Sequence, residues 1–137
     1  MKIGFTCGSF DLCHAGHVLM FKECKELCDY LVVGLQSDPT LDRSHKNKPI
    51  QSVEERLIQL EAITYIDKIV TYNTEEDLYN LLKKNDHGIT VRIIGADWQG
   101  KEFTGSDLPL ETIFNSRTHS YSTSELRKRI ADAEQQK

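Results

Sequence analysis

The sequence predicts a three-layer α/β sandwich built on a mostly parallel five-stranded sheet. Three observations carry this expectation. Five short runs rich in Val, Ile, Leu and aromatic residues alternate with helical periodicities along 137 residues. The run at 30–35 is continuously apolar, and 2–7 is read with it as a strand covered on both faces. Ser-x-x-Glu boxes at 52–55 and 122–125 mark helix starts.

Taken in order, Lys2 to Cys7 reads as the first strand, and a glycine-containing turn follows it. A helix over Val18 to Leu27 repeats Val18, Leu19, Phe21, Cys24 and Leu27 at spacings of three and four, with Lys and Glu elsewhere. Tyr30–Leu35 is the second strand and completes a βαβ unit. Gln36 to Gln51 is a polar stretch with Pro39, Pro49 and the cations Arg43, Lys46 and Lys48. A loop this long in a small domain is usually functional. Ser52 caps a helix to about Ile63, Lys68–Tyr72 is a third strand, and Thr74 caps a helix to about Asn85, closed by a His87-Gly88 turn. Val91–Gly95 forms the fourth strand, Gln99 to Pro109 a loop, and Leu110–Phe114 the fifth strand. The last helix starts at Ser122 and runs past Ile130. The alternation describes one Rossmann-like domain over residues 1–137, with no repeat or linker.

Composition narrows the function classes. A net charge of −4 leaves no basic footprint, so nucleic acid is not an expected partner. No apolar run is long enough to span a membrane and no leader pattern opens the chain, so a cytoplasmic location is expected. Cys7, Cys13, Cys24 and Cys28 lack the paired spacing of a zinc knuckle. They read as small buried hydrophobes, with a zinc-holding protein as the outlying alternative.

The stretch with most chemistry is 6–17, where a strand, a glycine turn and a helix start surround His14, Gly16 and His17. Gly8 and Gly16 allow the backbone close to a bulky anion, and the free N–H groups of a helix start favour phosphate. Two histidines add donors that carry charge near neutral pH. Arg117, Thr118, Ser122 and Thr123 put hydroxyls and a cation at the start of the last helix, a second anion site.

Gly8, Ser9, Phe10, Asp11, His14, Gly16 and His17 fit G-[ST]-F-D-x-x-H-x-G-H, and the chain resembles the cytidylyltransferase-like nucleotidyltransferases that carry it. The likeness continues through D-Y-L-V-V at 29–33, K-N-K-P at 46–49, E-E-R at 54–56, G-A-D-W at 95–98 and R-T-H-S-Y-S-T-S at 117–124. Within that family it looks most like the glycerol-3-phosphate cytidylyltransferases. The resemblance implies the H-x-G-H form of the fold. It also implies transfer from CTP to a small phosphorylated alcohol by in-line attack at the α-phosphorus, releasing pyrophosphate.

The same resemblance assigns residues. His14, His17, Lys46 and Arg117 are implied to be catalytic. Cys7, Gly8, Ser9, Phe10, Asp11, Gly16, Lys48, Arg56, Gly95, Asp97, Trp98, Thr118, Ser122 and Thr123 are implied to bind nucleotide, Arg56 as a phosphate contact. Mg2+ is expected on the triphosphate with no protein metal site of its own. Asp11 is a candidate to help organise that ion, and a turn-forming aspartate is its alternative. A homodimer is expected from the family.

Three departures keep the substrate open. Thr64 stands where the glycerol enzymes carry an arginine, and His119-Ser120-Tyr121 replaces an acidic-Gly-Ile step. The loop Gln99 to Pro109 resembles that of heptose-phosphate adenylyltransferases as much. The alternatives are an ATP-dependent adenylyltransferase acting on a sugar phosphate or riboflavin phosphate, and a nucleotide-binding paralogue without turnover.

Overall fold

The computed structural model describes residues 1–137. Its elements are β1 (Ile3–Gly8), α1 (Ala15–Glu26), β2 (Tyr30–Gln36), α2 (Val53–Glu61), β3 (Lys68–Tyr72), α3 (Glu75–Lys84), β4 (Val91–Ile94), β5 (Glu111–Phe114) and α4 (Thr123–Gln135). Short 3-10 turns occupy Pro39–Leu41 and Ala96–Trp98. The sheet order is β3-β2-β1-β4-β5 and every neighbouring pair is parallel. The sheet is therefore wholly parallel, where the sequence predicts a mostly parallel one.

Side-chain alternation along β2 divides the core. Leu31, Val33 and Leu35 face Phe21 and Cys24 of α1 and Leu60 of α2, while Val32 joins Phe5, Tyr72, Ile89 and the α3 residues Leu78 and Leu82. All are buried because both faces of a parallel sheet are covered by helices. Gly34 sits where strand and aromatic core meet. A Cβ there would lie 2.7 Å from Phe5 Cζ, so only glycine fits.

One helix boundary differs from the periodicity. α1 begins at Ala15, three residues before the apolar repeat, because His14 serves as its N-cap. α3 stops at Asn85 as expected, but the left-handed cap is Asn85 itself (φ 52°), not the glycine turn beyond it. The Asn85 amide stabilises that stop by donating to Ile89 O at 2.9 Å and accepting from Ile89 N at 2.8 Å.

Chain order reverses between β1 and β4, whose carboxyl ends open onto a common crevice. Crevices at such reversals are where open α/β sheets bind ligands. α4 buries none of its residues, and its amino end is what ties it to this crevice. No helix is long and apolar enough to cross a membrane.

Candidate active site

The turn leaving β1 is strapped from outside. Phe10 and Leu12 both take positive φ (48° and 52°), unusual for side-chain-bearing residues and a mark of a constrained loop. Between them, Asp11 is buried and its carboxylate accepts from Ile50 N (2.8 Å) and Gln51 N (2.9 Å). Leu12 N donates to Gln51 Oε1 at 2.8 Å. Asp11 thus spends both oxygens on backbone donors, with Arg127 Nη1 a further 4.0 Å away. Of the two readings of Asp11, these bonds are those of the turn-forming one. Its charge holds the turn that aims His14.

Arg56 is likewise committed to backbone oxygens. Its side chain is only 1% exposed and donates through Nε to Gln51 O and Ser52 O, through Nη1 to Ser9 O and Gln36 O, and through Nη2 to Ser37 O. A guanidinium so committed fastens three loops together at the carboxyl ends of β1 and β2. It lines neither cavity, where the resemblance implied a phosphate contact.

The histidines are held through their Nδ1 atoms. His14 Nδ1 accepts from Gly16 N (3.0 Å) and His17 Nδ1 from His14 N (3.2 Å), a capping box made of imidazoles. Accepting at Nδ1 fixes the neutral rings as Nε2–H tautomers. The rings stack with centroids 4.0 Å apart, and Phe10 meets His17 edge-on at 5.6 Å. His14 Nε2 donates to Thr123 Oγ1 at 3.1 Å, joining the first turns of α1 and α4. Burial lowers the His17 pKa to about 4, with the His14 charge adding to it and Asp11 opposing. The His14 pKa is also lowered, by burial first and then by His119 and Arg117. Both rings are neutral donors at pH 7.

Two cavities adjoin this cluster. The first, about 570 Å³, is lined by His14, Gly16, His17, Arg117, Thr118, Ser122 and Thr123, and by Gly95 and Asp97 beyond β4. Arg117 Nη2 donates to Tyr121 O (2.8 Å) and its Nη1 lies 3.9 Å from the exposed Asp97 carboxylate. The second, about 920 Å³, contains Cys7, Gly8, Ser9, Lys46, Trp98, Arg43 and Arg92. Met20, Gly95 and Asn115 line both, so the two spaces are adjacent. Both volumes suit ligands of nucleotide and metabolite size.

The structure therefore gathers most of the residues singled out in the sequence around the cavities, but not all of them. Phe10 is core, Lys48 is exposed and lines neither cavity, and Thr64 lies exposed between α2 and β3. Three residues to which the sequence assigned no role lie at or near the site. His119 lines the first cavity, Arg127 approaches Asp11, and buried Arg92 donates to Thr104 O and to Cys7 Sγ (3.8 Å) with Phe103 5.2 Å from its guanidinium. Two had a readable signal. Arg127 follows Thr123 by four, on the same helix face, and Arg92 is a charge inside an apolar strand. Of the cysteines read as buried hydrophobes only Cys24 is buried, with Sγ donating to Met20 Sδ, while Cys7, Cys13 and Cys28 are half-buried and Cys28 Sγ donates to Cys24 O.

The class these features define, a parallel sheet with imidazoles at one helix start and hydroxyls and an arginine at another, is the cytidylyltransferase-like fold. The chain belongs to the cytidylyltransferase-like family, whose model matches residues 5–129. It is 35% identical over 132 residues to the glycerol-3-phosphate cytidylyltransferase of Bacillus subtilis (strain 168), covering 96% of this chain and 98% of that protein. It is 38% identical over 133 residues to the bifunctional protein HldE of Campylobacter concisus (strain 13826), covering 96% of this chain. It spans only 28% of that relative's length. The fold matches the crystal structure of a lipopolysaccharide core biosynthesis protein from Thermoplasma volcanium GSS1 (TM-score 0.69, 22% identity, 87% of this chain and 99% of that one).

Proposed function

We propose that the protein joins CTP and a small phosphorylated alcohol of the glycerol phosphate type into a CDP-alcohol. A phosphate oxygen of the acceptor attacks the α-phosphorus of CTP in line. The bond from that phosphorus to the β-phosphate bridge oxygen breaks, and its electron pair leaves with pyrophosphate. The acceptor phosphate is already an anionic nucleophile, so no general base is required. The protein's contribution is positioning and stabilisation of spread negative charge.

The observation that carries this reading is the adjacency of the two cavities. The nucleotide takes the first, with its polyphosphate between the amino ends of α1 and α4, where helix N–H groups, imidazoles, Thr123 and Arg117 converge. Asp97 and the 95–98 segment lie toward its nucleoside. The acceptor takes the second, with Lys46 and Arg43 at its mouth to receive a phosphate. Magnesium enters with CTP as part of the substrate.

The size of the second cavity favours a second reading, in which the acceptor is a sugar phosphate. Pyrophosphate release should be measured with magnesium across CTP and ATP, each paired with glycerol phosphate, longer polyol phosphates and sugar phosphates. Turnover with CTP and glycerol phosphate above every other pair supports the proposal. CTP binding with no turnover for any acceptor overturns it.

A further inference from the structure

His119 is the third imidazole of the cluster, delivered from the β5–α4 connection. A Cβ placed on Gly16 would meet Cε1 of His119 and Cε1 of His14 at 2.9 Å each, so both rings close on the same point of the α1 start. His119 Nδ1 accepts from Tyr121 N at 3.1 Å, and its ring lies nearly parallel to that of Tyr121 with centroids 5.2 Å apart. Accepting at Nδ1 places the proton of the neutral ring on Nε2, as in His14 and His17. All three histidines are thus orientated by one device, a backbone N–H on Nδ1. His14 spends its Nε2–H on Thr123 Oγ1, whereas the Nε2–H groups of His17 and His119 have no partner within the protein.

We propose that His119 binds the nucleotide's polyphosphate, its Nε2–H donating to a phosphate oxygen held between the starts of α1 and α4. The ring lines the first cavity with Arg117 and Ser122, which flank it in sequence and face the same space. The bond from Arg117 to Tyr121 O and that from Tyr121 N to His119 Nδ1 tie residues 117–121 together. The position of the phosphate rests on the proposed function, but the donor itself does not depend on turnover.

The test uses inorganic tripolyphosphate as probe, so a failure of catalysis does not mask the result. His119→Gln keeps a donor near the Nε2 position and loses the acceptor for Tyr121 N–H. His119→Asn keeps that acceptor and loses the donor. Loss of a hydrogen bond to a charged group predicts at least about tenfold weaker tripolyphosphate binding for the asparagine variant, with the glutamine variant within about threefold of the parent. In the parent, imidazole nitrogen NMR should report the Nε2–H tautomer at His119 and a shift of that resonance on adding tripolyphosphate. An Nδ1–H tautomer, equal binding by both variants, or weakening by glutamine alone overturns the proposal. The last result would mark His119 as support for the loop only.

Discussion

His14 Nε2 lies 3.1 Å from Thr123 Oγ1, across 109 positions of sequence. That bond makes the starts of the first and last helices a single structure. With His14 donating, the Thr123 hydroxyl proton is free to point outward, so the pair passes a donor toward the space where a phosphate would sit. Thr123→Val keeps the side chain's shape and removes this oxygen. Turnover should fall by about tenfold or more while stability changes by less than about 1.5 kcal/mol, because the bond is only part-buried. Steady-state kinetics and denaturant melts on one preparation check both halves.

His14→Ala and His17→Ala each remove a preorganised donor, and each should lower kcat/KM by about a hundredfold. Retention of near-parent rates by either variant would take that ring out of the mechanism. Pyrophosphate release is the readout.

Gly16→Ala tests geometry without touching a donor. The new methyl would press on the rings of both His14 and His119 at 2.9 Å, and on His14 Nδ1 at 3.0 Å. Displacing rings by such an amount costs about a hundredfold in rate when alignment controls the reaction. The helix should still form, so circular dichroism ought to match the parent while activity drops.

Arg56→Ala should destabilise the fold by at least about 3 kcal/mol, since it removes the buried side-chain donor shared by five carbonyls, of which Ser52 O keeps the Arg56 backbone N–H. Arg56→Lys should recover part of this, because an ammonium has three protons for five acceptors. Urea denaturation gives the difference. If Arg56 acted mainly on phosphate, alanine would change nucleotide affinity and leave the midpoint alone.

The depressed pKa of His17 links stability to pH. An unfolded histidine takes a proton near pH 6.5, and in the folded chain His17 waits until about pH 4. Protons therefore favour the unfolded state between these values, and stability must fall as pH drops from 6.5 to 4. At about 1.4 kcal/mol for each pH unit crossed, the loss reaches about 3 kcal/mol. His17→Gln should flatten that part of the profile in calorimetry, with the loss at still lower pH from other groups unchanged.

The sequence by itself determined the strand-helix alternation, the helix caps at Ser52, Thr74 and Ser122, the phosphate-loop signature and the family. These are local properties: periodicity, caps and a motif whose residues lie within ten positions of one another. Tertiary structure alone decided the roles of Asp11 and Arg56, because a carboxylate or guanidinium in a loop reads the same whether it meets a ligand or a backbone. Only folding placed Ile50, Gln51 and five carbonyls around them. It also brought His119 and Thr123 to His14, a meeting of segments separated by the whole sheet, which no spacing along the chain encodes.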